Sequence, residues 1–153
     1  MLVKVVTQQK STKPIYILNG PNLNLLGQRQ PEIYGAETLS DIEARCQSHA
    51  KKLKLAIDFR QTNSEGTLID WIQEAGQSGS ALIINAAAYT HTSVGLHDAL
   101  LAIDIPIIEL HLSNTHKREN FRHKSHVSGA ADGIIAGFGA GGYELALDAL
   151  QHL

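Results

Sequence analysis

The chain has 153 residues, 43% of them hydrophobic and 18% charged, and 13 Lys+Arg against 15 Asp+Glu give a formal charge of −2. That length suits one domain, which buries roughly two-thirds of its unfolded surface and needs no metal or disulfide staple. The charge balance argues against nucleic-acid and membrane partners, the lone Cys46 excludes an internal disulfide framework and a four-cysteine zinc site, and no run approaches the ~18 apolar residues of a spanning helix.

Residues 1–13 read as an N-terminal tail, too polar for the apolar region of a signal peptide, so a cytoplasmic protein is expected. Residues 14–153 read as a single domain. Ile15-Tyr16-Ile17-Leu18 is a short apolar run closed by Asn19-Gly20-Pro21, the pattern of a buried strand and a turn. Residues 21–37 show no periodicity and predict a long loop, which in a compact domain is functional or disordered. Thr38 or Ser40 caps a helix with Leu39, Ile42, Cys46, Ala50 and Leu53 at helical spacing. Leu55 to Phe59 alternates as a strand, and Ser64 starts a second helix that ends near Gly76 or Gly79. Ala81 to Ile84 is an apolar strand stopping at Asn85. Thr92 or Ser93 caps a third helix running to about Ile103. Pro106 to Leu112 is a fourth strand, followed by a polar loop with a short helix near Arg118 to Phe121. Gly133 to Gly137 is a fifth strand and Tyr143 to Leu153 the last helix. Apolar strands alternating with helices predict an α/β fold, a flavodoxin-like, doubly wound, five-stranded parallel sheet with helices on both faces.

Ligands in such sheets bind beyond the carboxyl ends of the strands. The polar residues expected there are Asn19, Asn22 and Asn24 after strand one, with Arg29 and Tyr34 in the long loop. Asn85, Tyr89 and His91 follow strand three. Glu109, His111, Ser113, Arg118 and Arg122 belong to strand four and its loop. Turns favour Asn and Gly, but they do not require Arg, Tyr and two His. Strand periodicity puts Glu109 and His111 on one face, where a hydrogen bond fixes the imidazole tautomer and raises its basicity. A structural ion pair has the same spacing, and the position at the strand's carboxyl end favours chemistry. A free phenol titrates near pH ~10, and a neighbouring cation favours the phenolate. Arg29 beside Tyr34 fits that use, and a solvated Arg with a packed Tyr is the plainer alternative. On the third helix Leu96, Ala99, Leu100 and Ile103 form a core face, and Asp98 falls opposite with Val94, His97 and Leu101. That second face suits a subunit interface or a half-solvated surface.

Gly137-Phe138-Gly139-Ala140-Gly141-Gly142 matches G-x-G-x-x-G, but only 11 residues follow Gly142 and no further strand does, so a tight strand-to-helix turn is expected. A flavin or nucleotide module needs a phosphate-cradling loop after strand one. Asn19-Gly20-Pro21-Asn22 lacks the Ser/Thr/Gly run, and Pro21 removes a backbone donor. The eight histidines match no zinc spacing, and the lysines fall in the tail, on the polar side of the first helix or in polar loops, against Schiff-base chemistry.

Taken together, Leu18-Asn19-Gly20-Pro21-Asn22-Leu23-Asn24-Leu25-Leu26-Gly27, Arg29, Pro31, Tyr34-Gly35, Asn85, Tyr89-Thr90-His91-Thr92-Ser93-Val94, Asp98-Ala99, Glu109-Leu110-His111-Leu112-Ser113-Asn114, Arg118 to His123 and Gly137 to Tyr143 resemble the type II 3-dehydroquinate dehydratases. The resemblance runs from about Ile15 to the C-terminus with the motifs in family order. It implies that residues 14–153 form the catalytic domain of a lyase with no cofactor and no metal. Such an enzyme eliminates water from 3-dehydroquinate through an enolate to give 3-dehydroshikimate. It implies Tyr34 as base, Arg29 as its activator, His111 oriented by Glu109 as acid, and Asn22 near the enolate. Asn85, His91 and Arg122 would bind substrate hydroxyls, and the backbone of Leu112 and Ser113 its carboxylate. Asp98 would reach the site from a neighbouring subunit of a homo-oligomer, a dodecamer built of trimers. Gln30, Ala86 and His126 depart from the family's usual residues, and none holds an implied role.

Overall fold

The computed structural model describes residues 12–153, so most of the expected N-terminal tail lies outside the described residues. Strands β1 (Ile15–Asn19), β3 (Ala81–Asn85) and β4 (Ile107–His111) are buried along their whole length. Strands β2 (Ile57–Gln61) and β5 (Gly133–Ala136) are less buried. All pairings are parallel, in the order β2-β1-β3-β4-β5. This is the flavodoxin-like order, with its topological switch between β1 and β3.

Three of the five described α-helices begin where a short polar side chain satisfies a free N–H group. Helix α1 is a single turn, Pro31–Tyr34, with proline at its start. Helix α2 (Leu39–Lys52) has a reciprocal cap: Thr38 accepts from the Asp41 N–H at 3.1 Å and Asp41 accepts from the Thr38 N–H at 3.0 Å. Ser64 caps α3 (Glu65–Ser78), Ser93 caps α4 (Val94–Leu101), and α5 (Gly141–Ala149) follows the glycine turn. Because the strands are apolar on both sides, the sheet carries two cores. Ile17, Ile83, Ile108 and Leu110 pack under Ile42, Cys46, Tyr143 and Leu147 of α2 and α5. Leu18, Leu82, Ile84 and Ile107 pack under Leu68, Ile72, Leu96 and Leu100 of α3 and α4. Among the described residues no helix is long and apolar enough to cross a membrane.

Several boundaries differ from the sequence expectations. Strand β2 lies two residues later than its apolar alternation suggested. Leu55 is instead tied to the end of α2 by its N–H to the Ala50 carbonyl, after Lys54 turns left-handed at φ 58°. Helix α4 stops at Leu101 and does not reach Ile103. The expected long loop contains α1 and a 3₁₀ turn at Leu23–Leu25. The expected short helix near Arg118 is two 3₁₀ turns, Thr115–Lys117 and Asn120–Arg122. The last helix starts at Gly141, two residues early, and its final turn is 3₁₀ from Leu150 to His152. Ile134 is 56% exposed, since β5 is an edge strand and lacks a covering layer on that side.

Gly20 is required by a backbone contact, and Gly142 allows a close side-chain approach. A Cβ on Gly20 would stand 2.5 Å from the Ala86 carbonyl oxygen, where the chains leaving β1 and β3 touch. One on Gly142 would stand 2.9 Å from Leu110 Cδ1, so the glycine run brings α5 close onto β4 as a tight turn does.

Candidate active site

At the carboxyl ends of β1, β3 and β4 lies a cleft of about 650 Å³, counting its open mouth. The β1 loop supplies Asn22, Arg29 and Tyr34 to its wall, and β3 with the turn after it supplies Asn85 and His91. From β4 and its loop come His111, Leu112, Ser113 and Arg122. Glu109 stands one step behind His111, buried to 1% exposure. Of the eleven residues to which the resemblance gives a role, the structure thus brings ten to one place. The exception is Asp98, exposed on α4 and absent from the cleft lining of its own chain.

The loop after β1 turns sharply at Asn22 (φ 67°) and Gln30 (φ 44°), and Asn63 Oδ1 accepts from the Asn22 N–H at 3.0 Å. Tyr34 closes the single turn of α1, with the Arg29 guanidinium 5.6 Å from its ring centre. A second guanidinium, from Arg118, lies 5.2 Å from the same ring. Arg118 also donates to Ser113 Oγ at 3.3 Å. Arg122 is held by Glu119 at 2.6 Å.

The two imidazoles stack with centroids 6.3 Å apart and planes at 18°. His91 Nδ1 faces the Lys124 carbonyl at 2.7 Å. A carbonyl only accepts, so Nδ1 carries the proton and Nε2 keeps its lone pair. Burial holds His91 below the usual histidine range despite that bond, which favours this neutral form. Glu109 Oε1 lies 3.3 Å from His111 Nε2, leaving Nδ1 as the other ring nitrogen. The Ser125 and Ser128 hydroxyls also donate to the Glu109 carboxylate. Burial pushes the Glu109 carboxyl up, but the bonds from His111, Ser125 and Ser128 outweigh it and hold it below the ordinary range. Glu109 is therefore the buried anion behind His111.

Further back, Asn85 Nδ2 donates to the Tyr143 hydroxyl at 3.3 Å, and that hydroxyl donates to Asn19 Oδ1 at 2.6 Å. Asn19 Nδ2 donates to the Arg60 carbonyl at 3.0 Å. Sequence reasoning assigned no role to Arg118, Ser125, Ser128 or Tyr143. Only Arg118 carried a signal, as a cation in the loop after strand four. Cys46 is fully buried in the α2 core, and burial pushes its thiol up to about 12, so it supplies no thiolate. Among the described residues no cluster of three or more His, Cys, Asp or Glu is placed to hold a metal ion. What the cleft offers is a phenol between two guanidiniums, a carboxylate-backed imidazole, a neutral imidazole and an amide. That set can move protons on a small polar molecule and hold an anion formed there.

The model of the family described as dehydroquinase class II matches residues 13–151. The chain belongs to the class II dehydroquinases. A 3-dehydroquinate dehydratase of Sinorhizobium medicae is 59% identical over 139 residues, which cover 91% of this chain and 94% of that protein. One of Brucella canis is 59% identical over 142 residues, 93% of this chain and 90% of that protein. The crystal structure of a type II dehydroquinase from Propionibacterium acnes superposes with a TM-score of 0.89 at 43% identity. It covers 95% of this chain and all of that one. A 3-dehydroquinate dehydratase-like protein from Bifidobacterium longum gives 0.68 at 29% identity, covering 92% and 96%. This class II dehydroquinase has its cleft at the sheet's topological switch, where open α/β sheets bind their ligands.

Proposed function

We propose that the chain dehydrates 3-dehydroquinate to 3-dehydroshikimate, with Tyr34 as base and His111 as acid. The observation that carries the reading is the convergence on one cleft of Tyr34, between Arg29 and Arg118, and of His111, backed by Glu109. The Tyr34 phenolate takes a proton from the carbon next to the ketone, leaving an enolate. Electrons of the enolate expel the hydroxyl, which leaves as water with a proton from the imidazolium form of His111. The ring keeps its ketone, now conjugated to the new double bond. Arg29 stabilises the phenolate and the charge that follows it, and Asn22 holds water or the enolate oxygen. Asn85, His91 and Arg122 bind hydroxyls. The carbonyls of His111 and Leu112 accept from the N–H groups of Gly137 and Gly139, which fixes the backbone wall where Leu112 and Ser113 take the carboxylate. No step calls for a cofactor. The direct test is to add 3-dehydroquinate to purified enzyme and follow the absorbance of the conjugated product. No rise at micromolar enzyme rejects the reading.

The Ser128→Ala variant probes the acid. Ser128 supplies one of the bonds that hold the Glu109 carboxyl low, so its loss moves that group up. The ionised state of Glu109 stabilises the fold at pH above its unfolded range and stops doing so as pH falls through its depressed native value. In Ser128→Ala that loss is complete at a higher pH, because the native value has moved up toward the unfolded one, and the acidic limb of activity shifts the same way. At neutral pH the variant loses about 1–3 kcal/mol of stability, the usual cost of stripping a bond from a buried charge. A pH–rate profile with a matched thermal melt reads both. An acidic limb identical to wild type removes Ser128 from this role.

Asp98 completes the site from a neighbouring subunit in this proposal. It lies on the outer face of α4 between Val94 and Leu101, which are 57% and 60% exposed. A ring of three chains buries such a face and repeats one contact around its axis, and four trimers give the dodecamer. Asp98→Ala and Tyr34→Phe are each impaired alone. Co-expressed, they form some sites with Tyr34 of one chain and Asp98 of another, so activity exceeds the sum of the separate variants. Mixed assemblies, verified by mass, that regain nothing place Asp98 in its own subunit or outside the site.

A further inference from the structure

We propose that Tyr143, which is 1% exposed and does not itself line the cleft, is a positioning residue that sets which way the Asn85 amide faces the substrate. The inference rests on the dehydratase reading above and extends it to residues behind the wall of the site.

Hydrogen-bond polarity orients each group in turn. The Arg60 carbonyl only accepts, so Asn19 must turn its NH₂ toward it at 3.0 Å and its oxygen toward Tyr143. The Tyr143 hydroxyl has one proton, and at 2.6 Å it goes to that oxygen. What the phenol oxygen then presents to Asn85 is a lone pair, which only the amide nitrogen of Asn85 can meet, at 3.3 Å. The oxygen end of the amide agrees with this orientation, accepting from the Ala87 N–H at 3.3 Å, and the two bonds together hold the amide. Burial raises the Tyr143 phenol far above its ordinary range, so it remains a donor throughout the working pH range. Asn19 is 0% and Asn85 3% exposed, so water does not substitute for a missing partner. The chain of bonds starts at a backbone carbonyl of β2, crosses to α5 and ends at β3. It leaves Asn85 one N–H for the cleft. Asn85 is therefore a donor to a substrate oxygen.

Tyr143→Phe keeps the ring and deletes only the oxygen. With its anchor gone, Asn85 loses orientation, and about a fivefold rise in KM is expected, the size of one ordinary hydrogen bond, with kcat within about twofold of wild type. Asn85→Ala raises KM at least as much. The double variant matches Asn85→Ala alone, because Tyr143 acts only through Asn85. Asn19→Ala is the second variant: it spares the phenol but removes its acceptor, freeing its proton to turn on Asn85, and it raises KM with the same dependence on Asn85. If Tyr143→Phe melts lower than wild type but keeps its KM, or if its effect on KM multiplies with that of Asn85→Ala, Tyr143 is merely a packed core residue and the proposal fails. A wild-type chain that does not turn over 3-dehydroquinate rejects the function instead, and Asn85→Ala at wild-type KM rejects the substrate role of Asn85. Each of those outcomes is read separately from the relay.

Discussion

Tyr34→Phe is expected to lower kcat by about 100-fold or more, the usual cost of a lost general base, while leaving fold and substrate affinity close to wild type. Tyr34 closes a one-turn helix on the cleft wall and is only partly buried, so removing its oxygen leaves no core cavity. The phenol stands between Arg29 and Arg118, whose guanidiniums lie 5.6 Å and 5.2 Å from its ring centre. In the proposed mechanism these two cations stabilise the enolate that forms when the proton leaves the substrate. The decisive measurement is proton exchange. In heavy water the wild-type enzyme incorporates deuterium at the carbon next to the ketone, and Tyr34→Phe does not. A variant that keeps more than a tenth of the wild-type rate, or still exchanges that proton, removes Tyr34 from the role.

His111→Ala is expected to lose about 100-fold or more in dehydration as well, but for a different step. In the proposed mechanism the proton it supplies goes to the departing hydroxyl, after the carbon acid has been ionised. Deuterium exchange next to the ketone therefore continues in His111→Ala while dehydration is nearly abolished. Glu109→Gln keeps the shape and removes the buried anion 3.3 Å from His111 Nε2. Its dehydration rate falls between wild type and His111→Ala, and its exchange persists. If exchange and dehydration fall together in His111→Ala, the imidazole serves proton abstraction or substrate binding, and its assignment as acid is wrong.

Local chemistry made much of this legible in advance. Thr38 or Ser40, then Ser64, then Thr92 or Ser93 before apolar helical faces mark helix starts without reference to the rest of the chain, and the caps form at Thr38, Ser64 and Ser93. Apolar runs such as Ile83-Ile84 and Ile107-Ile108 specify strands covered on both sides, and alternation with helices makes the sheet parallel. The pairing of Glu109 with His111 was readable because period two alone puts them on one face. The ends of elements were less legible. Leu55 carries the apolar signature of a strand, but its N–H goes to the Ala50 carbonyl, so β2 starts at Ile57 beside Ile15 of β1.

Composition and periodicity determined the α/β class, the two-layered core and the rim of polar residues at the strand ends, since each depends on near neighbours in the chain. The tertiary structure alone decided what stands behind and beside those residues. Ser125 and Ser128 meet Glu109 across 16 and 19 residues, and Tyr143 meets Asn19 across 124. Arg118 reaches Tyr34 because the loops after β4 and β1 fold over the same cleft. The exposed side of Ile134 follows from β5 lying at the edge of the sheet, a consequence of strand order that its own four residues do not encode. A hydrogen bond between distant residues has no period and no fixed spacing, and its partners become visible only when the sheet has set their register.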